Sequence, residues 1–289
     1  VLHELGGEAA ASLYAHDAKG ATPAHAAAQN GHDGCLRVLH ELGGKAAASL
    51  CAVDASGTTP AHFAAANGHD GCLRFLHELG GEAAASMYAV MAKGSTPAHA
   101  AAQNGHDGCL RVLHELGGEA AASLCAVMAK GSTPAHSAAW NGRDGCLRVL
   151  HELGGEVAAS LCAADTKGRT PAHSAAQKGH DGCLRVLHEL GGEAAASLCA
   201  ADANGATPAH DAAWNGRDGC LRVLHELGGE AAASLCAGVG GYRRQRGRRH
   251  GKNQPQSGLP GSEEERASVE GRRMCAVRQL GPRLLNVDL

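Results

Sequence analysis

Histidine and cysteine are the residues here whose type and spacing could do chemistry. Six histidines, His25, His62, His99, His136, His173 and His210, stand at equal intervals of 37 residues. Imidazole can ligate a metal or carry a proton near neutral pH. The pair His32-x-x-Cys35 has half of a zinc-ligand spacing. It returns as His69/Cys72, His106/Cys109 and His180/Cys183, but reads Arg143/Cys146 and Arg217/Cys220 in two further copies. Equivalent atoms of packed neighbouring helices lie about 10 Å apart. That is too far for shared tetrahedral ligation and beyond the roughly 7 Å limit for a disulfide. His40-Glu41 cannot open a metalloprotease motif, because Gly44 stands where the second histidine belongs. Identical copies of one residue do not make a nucleophile, base and orienter. There is also no glycine-rich phosphate loop followed by Lys-Ser/Thr. The chain therefore reads as non-enzymatic and without metal or cofactor, its histidines structural and its cysteines small core residues.

The elements that position these residues follow from the period. Thr22, Thr59, Thr96, Thr133, Thr170 and Thr207 each open a Thr-Pro-Ala-His tetrapeptide, and Asp-Gly-Cys-Leu-Arg follows every time. A constant period of this size marks a repeat architecture. Six copies span residues 16–237, and residues 1–15 read as a truncated repeat, a second helix and its connector, so the chain reads as part of a longer protein. In the first copy, Asp17 to Gly20 is a turn. Thr22 N-caps a helix whose first residue is Pro23, and Gly31 ends it in a left-handed cap. Cys35, Leu36, Leu39 and Leu42 form the apolar stripe of a second helix, with Arg37, His40 and Glu41 on its solvated side. Gly43-Gly44 stop it, and Lys45 to Ser49 is expected to add a brief helical turn. The other copies begin this stretch with an acid, from Glu8 to Glu230. Neither main helix reaches the ~12 residues at which isolated helices persist, so stability must come from stacking.

Composition agrees. Phe, Trp and Tyr make 2% of residues, while Gly numbers 41. A core lean in aromatics needs close contacts between short helices. The 12 cysteines could staple a secreted domain, but no signal peptide is visible and a stacked core needs no staples. Reduced thiols in the cytoplasm or nucleus are the expectation. No apolar run approaches the ~20 residues of a membrane span.

The motif Asp17-Ala-Lys-Gly20-Ala-Thr22-Pro23-Ala24-His25-Ala-Ala27-Ala28-Gln-Asn-Gly31-His32 resembles the ankyrin repeat, and the resemblance covers about three quarters of the chain. It implies an all-α solenoid of helix-turn-helix units with short β-hairpin fingers. It implies histidines hydrogen-bonded to Thr and nearby backbone, and a protein partner bound along the concave groove and finger tips. Three departures stand out. The family's Leu after Thr-Pro is Ala24, Ala61, Ala98, Ala135, Ala172 and Ala209, which predicts closer helix spacing or lower stability. The second Leu of the family's second-helix pair is His40, with Leu42 two places on. The period is also four residues longer than usual, and the surplus is expected on a loop after Gly43-Gly44.

Copies of a scaffold agree where they build it and differ where they can bind. One column of the first helix runs Ala26, Phe63, Ala100, Ser137, Ser174, Asp211; another runs Gln29, Ala66, Gln103, Trp140, Gln177, Trp214; Lys178 replaces Asn in a third. The finger column runs Asp17, Asp54, Met91, Met128, Asp165, Asp202. The resemblance places these columns at the groove. Arg143 and Arg217 follow Trp140 and Trp214 by three residues, a spacing that predicts cation–π stacking on one helix face. Trp and Arg are common anchors of interfaces. Phe63, Met91, Met128, Trp140, Arg143, Lys178, Asp211, Trp214 and Arg217 are thus the expected partner-binding residues.

Residues 238–289 abandon the pattern. They hold 11 of the 26 Lys and Arg and 5 of the 29 Asp and Glu, so this tail is net +6 and residues 1–237 net −9. Arg243 to Lys252 is its densest stretch. Low hydrophobicity with Gly, Pro and charge predicts disorder. A basic tail of this kind suits nucleic acid or nuclear targeting, though a tail that is merely solvated is the commoner case. The array could equally be the targeting arm of an enzyme whose catalytic domain lies elsewhere. Apolar patterns at both ends of the array predict self-association.

Overall fold

A computed structural model of the chain describes residues 11–91, 93–229 and 231. The first repeat folds as α1 (Pro23–Gln29), α2 (Asp33–Leu42) and α3 (Gly44–Ala48). The second gives α4 (Pro60–Asn67), α5 (Asp70–Glu78) and α6 (Gly81–Ala85); the third α7 (Pro97–Asn104), α8 (Asp107–Glu115) and α9 (Gly118–Ala122). Next come α10 (Pro134–Trp140), α11 (Asp144–Glu152) and α12 (Gly155–Ala159), then α13 (Pro171–Lys178), α14 (Asp181–Leu190) and α15 (Gly192–Ala196). The sixth repeat supplies α16 (Pro208–Trp214) and α17 (Asp218–Glu226). The fold is the helical solenoid that the period implies. No residue among those described forms a strand. The fingers are turns instead: Asp17 N–H donates to Ala21 O and Gly20 N–H to Asp17 O, both at 2.9 Å, and Ala55 N–H joins the next finger to Lys19 O at 2.9 Å.

The surplus residues expected on a loop form the third helix of each of the first five repeats. Its carbonyls are met by a serine, as where Ser49 Oγ donates to Ala46 O at 2.6 Å. This detour brings large side chains into the core. Leu50, Met87, Leu124, Leu161 and Leu198 are each at most 1% exposed. Burying one such side chain is worth roughly 1.5–3 kcal/mol. Bulk missing from the Thr-Pro-Ala-His alanines, all buried, therefore enters from the connector. In the second helices Cys72, Leu73, Phe75 and Leu76 are buried, so the stripe is i, i+1, i+3 and i+4. The Leu42 column stays half-buried, and the residue missed was the Val at i+3, as in Val112.

Two polar ladders run between repeats. Arg74, Arg111, Arg148 and Arg185 reach Glu115, Glu152, Glu189 and Glu226 at 2.6–2.7 Å. These pairs are exposed, and such pairs contribute about 0–1 kcal/mol each. The other ladder is buried and runs through the tetrapeptide histidines.

Candidate functional site

Five of the tetrapeptide histidines, His25, His62, His99, His136 and His173, are bound at both ring nitrogens. His25 Nδ1 lies 3.0 Å from Thr22 N and 2.9 Å from Thr22 Oγ1, while Nε2 lies 3.0 Å from Thr58 O. A backbone N–H can only donate and a carbonyl can only accept, so Nδ1 is the acceptor and Nε2 carries the proton. His62, His99, His136 and His173 repeat this arrangement on Thr59, Thr96, Thr133 and Thr170 and on the carbonyls of Ser95, Ser132, Arg169 and Ala206. His210 meets Thr207 Oγ1 at 2.9 Å. The threonine hydroxyl turns chiefly to imidazole; Thr59 Oγ1 also accepts from the N–H of His62, at 3.4 Å. Burial depresses the basicity of His25, His62, His99, His136 and His173, and His99 falls to about 4 despite the opposing bond to Ser132 O. The five neutral, doubly bonded imidazoles clamp one repeat to the next and have no lone pair left for a metal or substrate.

Cysteine offers no nucleophile among the buried positions either. Burial pushes the Cys72 and Cys220 thiols up to about 11 and those of Cys109, Cys146 and Cys183 to about 12. The thiolate, the reactive form, is then absent at neutral pH. Among the described residues no three His, Cys, Asp or Glu side chains are grouped so as to hold a metal ion, and no helix is long and apolar enough to cross a membrane.

The face made by the fingers and first helices is different. A cleft of about 310 Å³ is lined by Gln103, Met128, Ser132, His136, Ser137, Trp140, Asn141 and Ser174. Met128 of the fourth finger and Trp140 of the same repeat's first helix thus line one cleft. Lys178 Nζ sits 4.1 Å above the Trp140 ring. Trp140 remains 39% exposed and Trp214 66%. Asp211 faces Arg169 at 3.4 Å, and Arg169 also bonds Gln177. Burial raises the Asp211 carboxyl, with Arg169 holding it back. Phe63 stands apart from the tryptophans. It packs edge-on against the His25 ring at 5.7 Å and lines a cleft with Asp17 and Gln29. Met91 sits half-buried in its own finger.

Stacking of Arg143 on Trp140 is not what the structure shows. Helix α10 ends at Trp140, and Gly142 at φ +69° carries the chain out of the helix. The i,i+3 geometry therefore does not reach Arg143. Its Nε instead donates to Gln103 O at 3.2 Å, and Arg217 Nε likewise to Gln177 O at 3.3 Å. In the other copies a histidine makes this bond, as His69 Nε2 does to Gln29 O at 3.0 Å. Both arginines replace a histidine in tying a repeat to the carbonyl end of the preceding first helix. The cation over Trp140 comes from the next repeat. Sequence reasoning also passed over Arg169, whose column runs Ala21, Thr58, Ser95, Ser132, Arg169, Ala206. Residues 1–10, Glu230 and the whole tail, Arg243 to Lys252 included, lie outside the described residues.

The family model for ankyrin repeats matches this chain in three copies, at residues 3–87, 82–160 and 155–233. No curated protein matches it.

Proposed function

The chain belongs to the ankyrin repeat family, whose repeats are generally protein–protein interaction modules, and on that premise we propose that it is a scaffold which holds a partner segment on the finger and first-helix face of repeats three to six. One observation carries this reading: Met128 and Trp140 line one cleft, and Lys178 covers the indole. A half-buried thioether and an exposed indole offer a large apolar contact at little entropic cost. Trp214, two repeats on, is a second exposed indole on the same column. Once a partner has been identified by cross-linking, calorimetry on the Trp140→Ala, Trp214→Ala double variant should give at least about tenfold weaker binding. Full affinity in a variant that melts like the parent would remove the reading.

A second reading concerns copies of the chain. Val38 is 53% exposed where Val112 is 2%, and Ala213 is exposed and Leu221 half-buried where Ala176 and Leu184 are buried. These are stacking faces, and they support end-to-end self-association.

A further inference from the structure

On this face charge is distributed unevenly from repeat to repeat. In four fingers an aspartate stabilises its own turn: Asp17 Oδ1 accepts from Lys19 N and Ala21 N at 2.8 and 2.9 Å, and Asp54, Asp165 and Asp202 do the same. In the third and fourth fingers Met91 and Met128 replace that aspartate, while the turns keep their backbone bonds. Both a turn-stabilising acceptor and a negative charge are lost there. The tip residues run Lys19, Ser56, Lys93, Lys130, Lys167, Asn204. Lys93 and Lys130 therefore face no acid in their own fingers. The fifth repeat sets Lys167, Arg169 and Lys178 against Asp165 alone, and the sixth carries Asp202 and Asp211 at its finger and first-helix positions without a cation. Lys93, Lys130, Lys167 and Lys178 are exposed and make no ion pair among the described residues. A body of net −9 thus presents a basic stretch at repeats three to five, beside the cleft of Met128 and Trp140 and bounded by acid at repeats two and six.

We infer that this stretch binds an extended acidic peptide with carboxylates at every third residue and an apolar side chain among them for the Met128–Trp140 cleft. The inference rests on the partner-binding reading of this face and names the chemistry of the partner. The spacing follows from the fingers. Lys130 O accepts from Thr166 N at 3.0 Å, and Thr166 adjoins Lys167. One backbone hydrogen bond and one residue therefore separate neighbouring tips, within about 9 Å between α-carbons. Lys93 O accepts from Ala129 N at 3.2 Å in the same way. Three residues of chain in the extended polyproline II conformation cover roughly 9 Å and bring the side chain back to the same face, so a carboxylate at every third position meets one lysine per repeat. Asp54 on one side and Asp202 and Asp211 on the other repel further acid and set the register.

The test is a fluorescence-anisotropy titration of the full chain with labelled synthetic peptides of roughly a dozen residues. One peptide carries Glu at every third position around a central Leu. A second has the same composition with its Glu residues grouped at one end. The expected result is tighter binding of the spaced peptide by at least about fivefold, weakening as salt rises from ~50 to ~300 mM. The Lys93→Glu, Lys130→Glu, Lys167→Glu triple variant, checked by its melting curve, should lose at least about tenfold. Equal affinity for both peptides overturns the inference. So does binding retained by the triple variant, which would assign it to cations elsewhere, such as Arg243 to Lys252. If a natural partner is lost on substitution of the tryptophans but not on lysine reversal, the face stands and its acidic specificity falls.

Discussion

The tetrapeptide histidine ties its own threonine to the backbone of the next repeat, and its chemistry is that of a neutral base. Its Nδ1 already accepts from a threonine N–H, so protonating it would set two donors against each other. In the folded chain His99 titrates at about 4, against an ordinary value of 6.5. His25, His62, His136 and His173 are also lowered, burial being the leading cause. The sign follows by linkage. Above pH ~6.5 both folded and unfolded rings are neutral, and stability is fully present. Below it the unfolded chain binds protons that the folded chain refuses, so stability falls at up to about 1.4 kcal/mol per pH unit per histidine until the folded value is reached. For His99 the full loss amounts to roughly 3 kcal/mol by pH ~4. With five such rings, the midpoint of thermal unfolding should drop by at least about 10 °C between pH 7 and pH 5. Circular-dichroism melts across that range would measure it. A flat midpoint would mean that the rings do not stay neutral. Asp17, held below the usual carboxylate range by the N–H groups of Ala21 and Lys19, acts only at lower pH and does not blur the window.

At the scale of the element, glycines separate two kinds of constraint. Gly68 ends α4 at φ +80°, and a Cβ there would stand 2.6 Å from His106 Nδ1. His106 in turn bonds Ala66 O at 3.0 Å. Gly68→Ala therefore meets left-handed strain of roughly 1–2 kcal/mol and also displaces a tie between repeats, for a total of about 2–3 kcal/mol. Gly71 lies inside α5 with nothing within 4 Å of its missing Cβ. Gly71→Ala should stabilise by about 0.5–1 kcal/mol. Chemical denaturation of the two variants should thus move in opposite directions, and a shared direction would refute the assignment. The start and end of each main helix were legible in the sequence because Thr-Pro and Gly act locally. The third helix was legible only as a brief turn, since its alanines have no periodicity of their own and what fixes it is Leu50 reaching the core. At the face, Met128, Trp140 and Lys178 were legible as differences between copies. The partner of Lys178 was not, because the contact joins residues in two repeats. The role of Arg143 was misread for a related reason: spacing by three has its helical meaning only while the helix continues. The finger-tip lysines were visible in the sequence, but they become informative only when the fingers stand side by side.

At the scale of the whole molecule, near-identity of the copies makes each repeat's two stacking faces complementary to those of every other repeat. That complementarity does not stop at the described ends. Repeat one presents Cys35 and Val38 openly, where the same columns in later repeats, Cys72 and Val112, are 1–2% exposed. The sixth presents Ala213 and Leu221, and Arg222 turns to Asp218 at 3.7 Å where Arg185 spans to Glu226. The face of the sixth repeat therefore matches the face of the first as the fifth matches the sixth, and Glu41 would meet Arg222 of another copy. Such a contact is heterologous. It would join copies head to tail, and copies added in this way would extend the array rather than close it at a dimer. Light scattering coupled to size exclusion should show a mean mass that rises with loading concentration without reaching a plateau. Val38→Glu places a charge in the contact and should shift the distribution to monomer, while Glu41→Lys should weaken association more at low salt than at high. A monomer at every concentration would sink the idea. A sharp dimer insensitive to Val38→Glu would do the same, because a two-fold contact uses one face twice and needs no complementarity between the two ends.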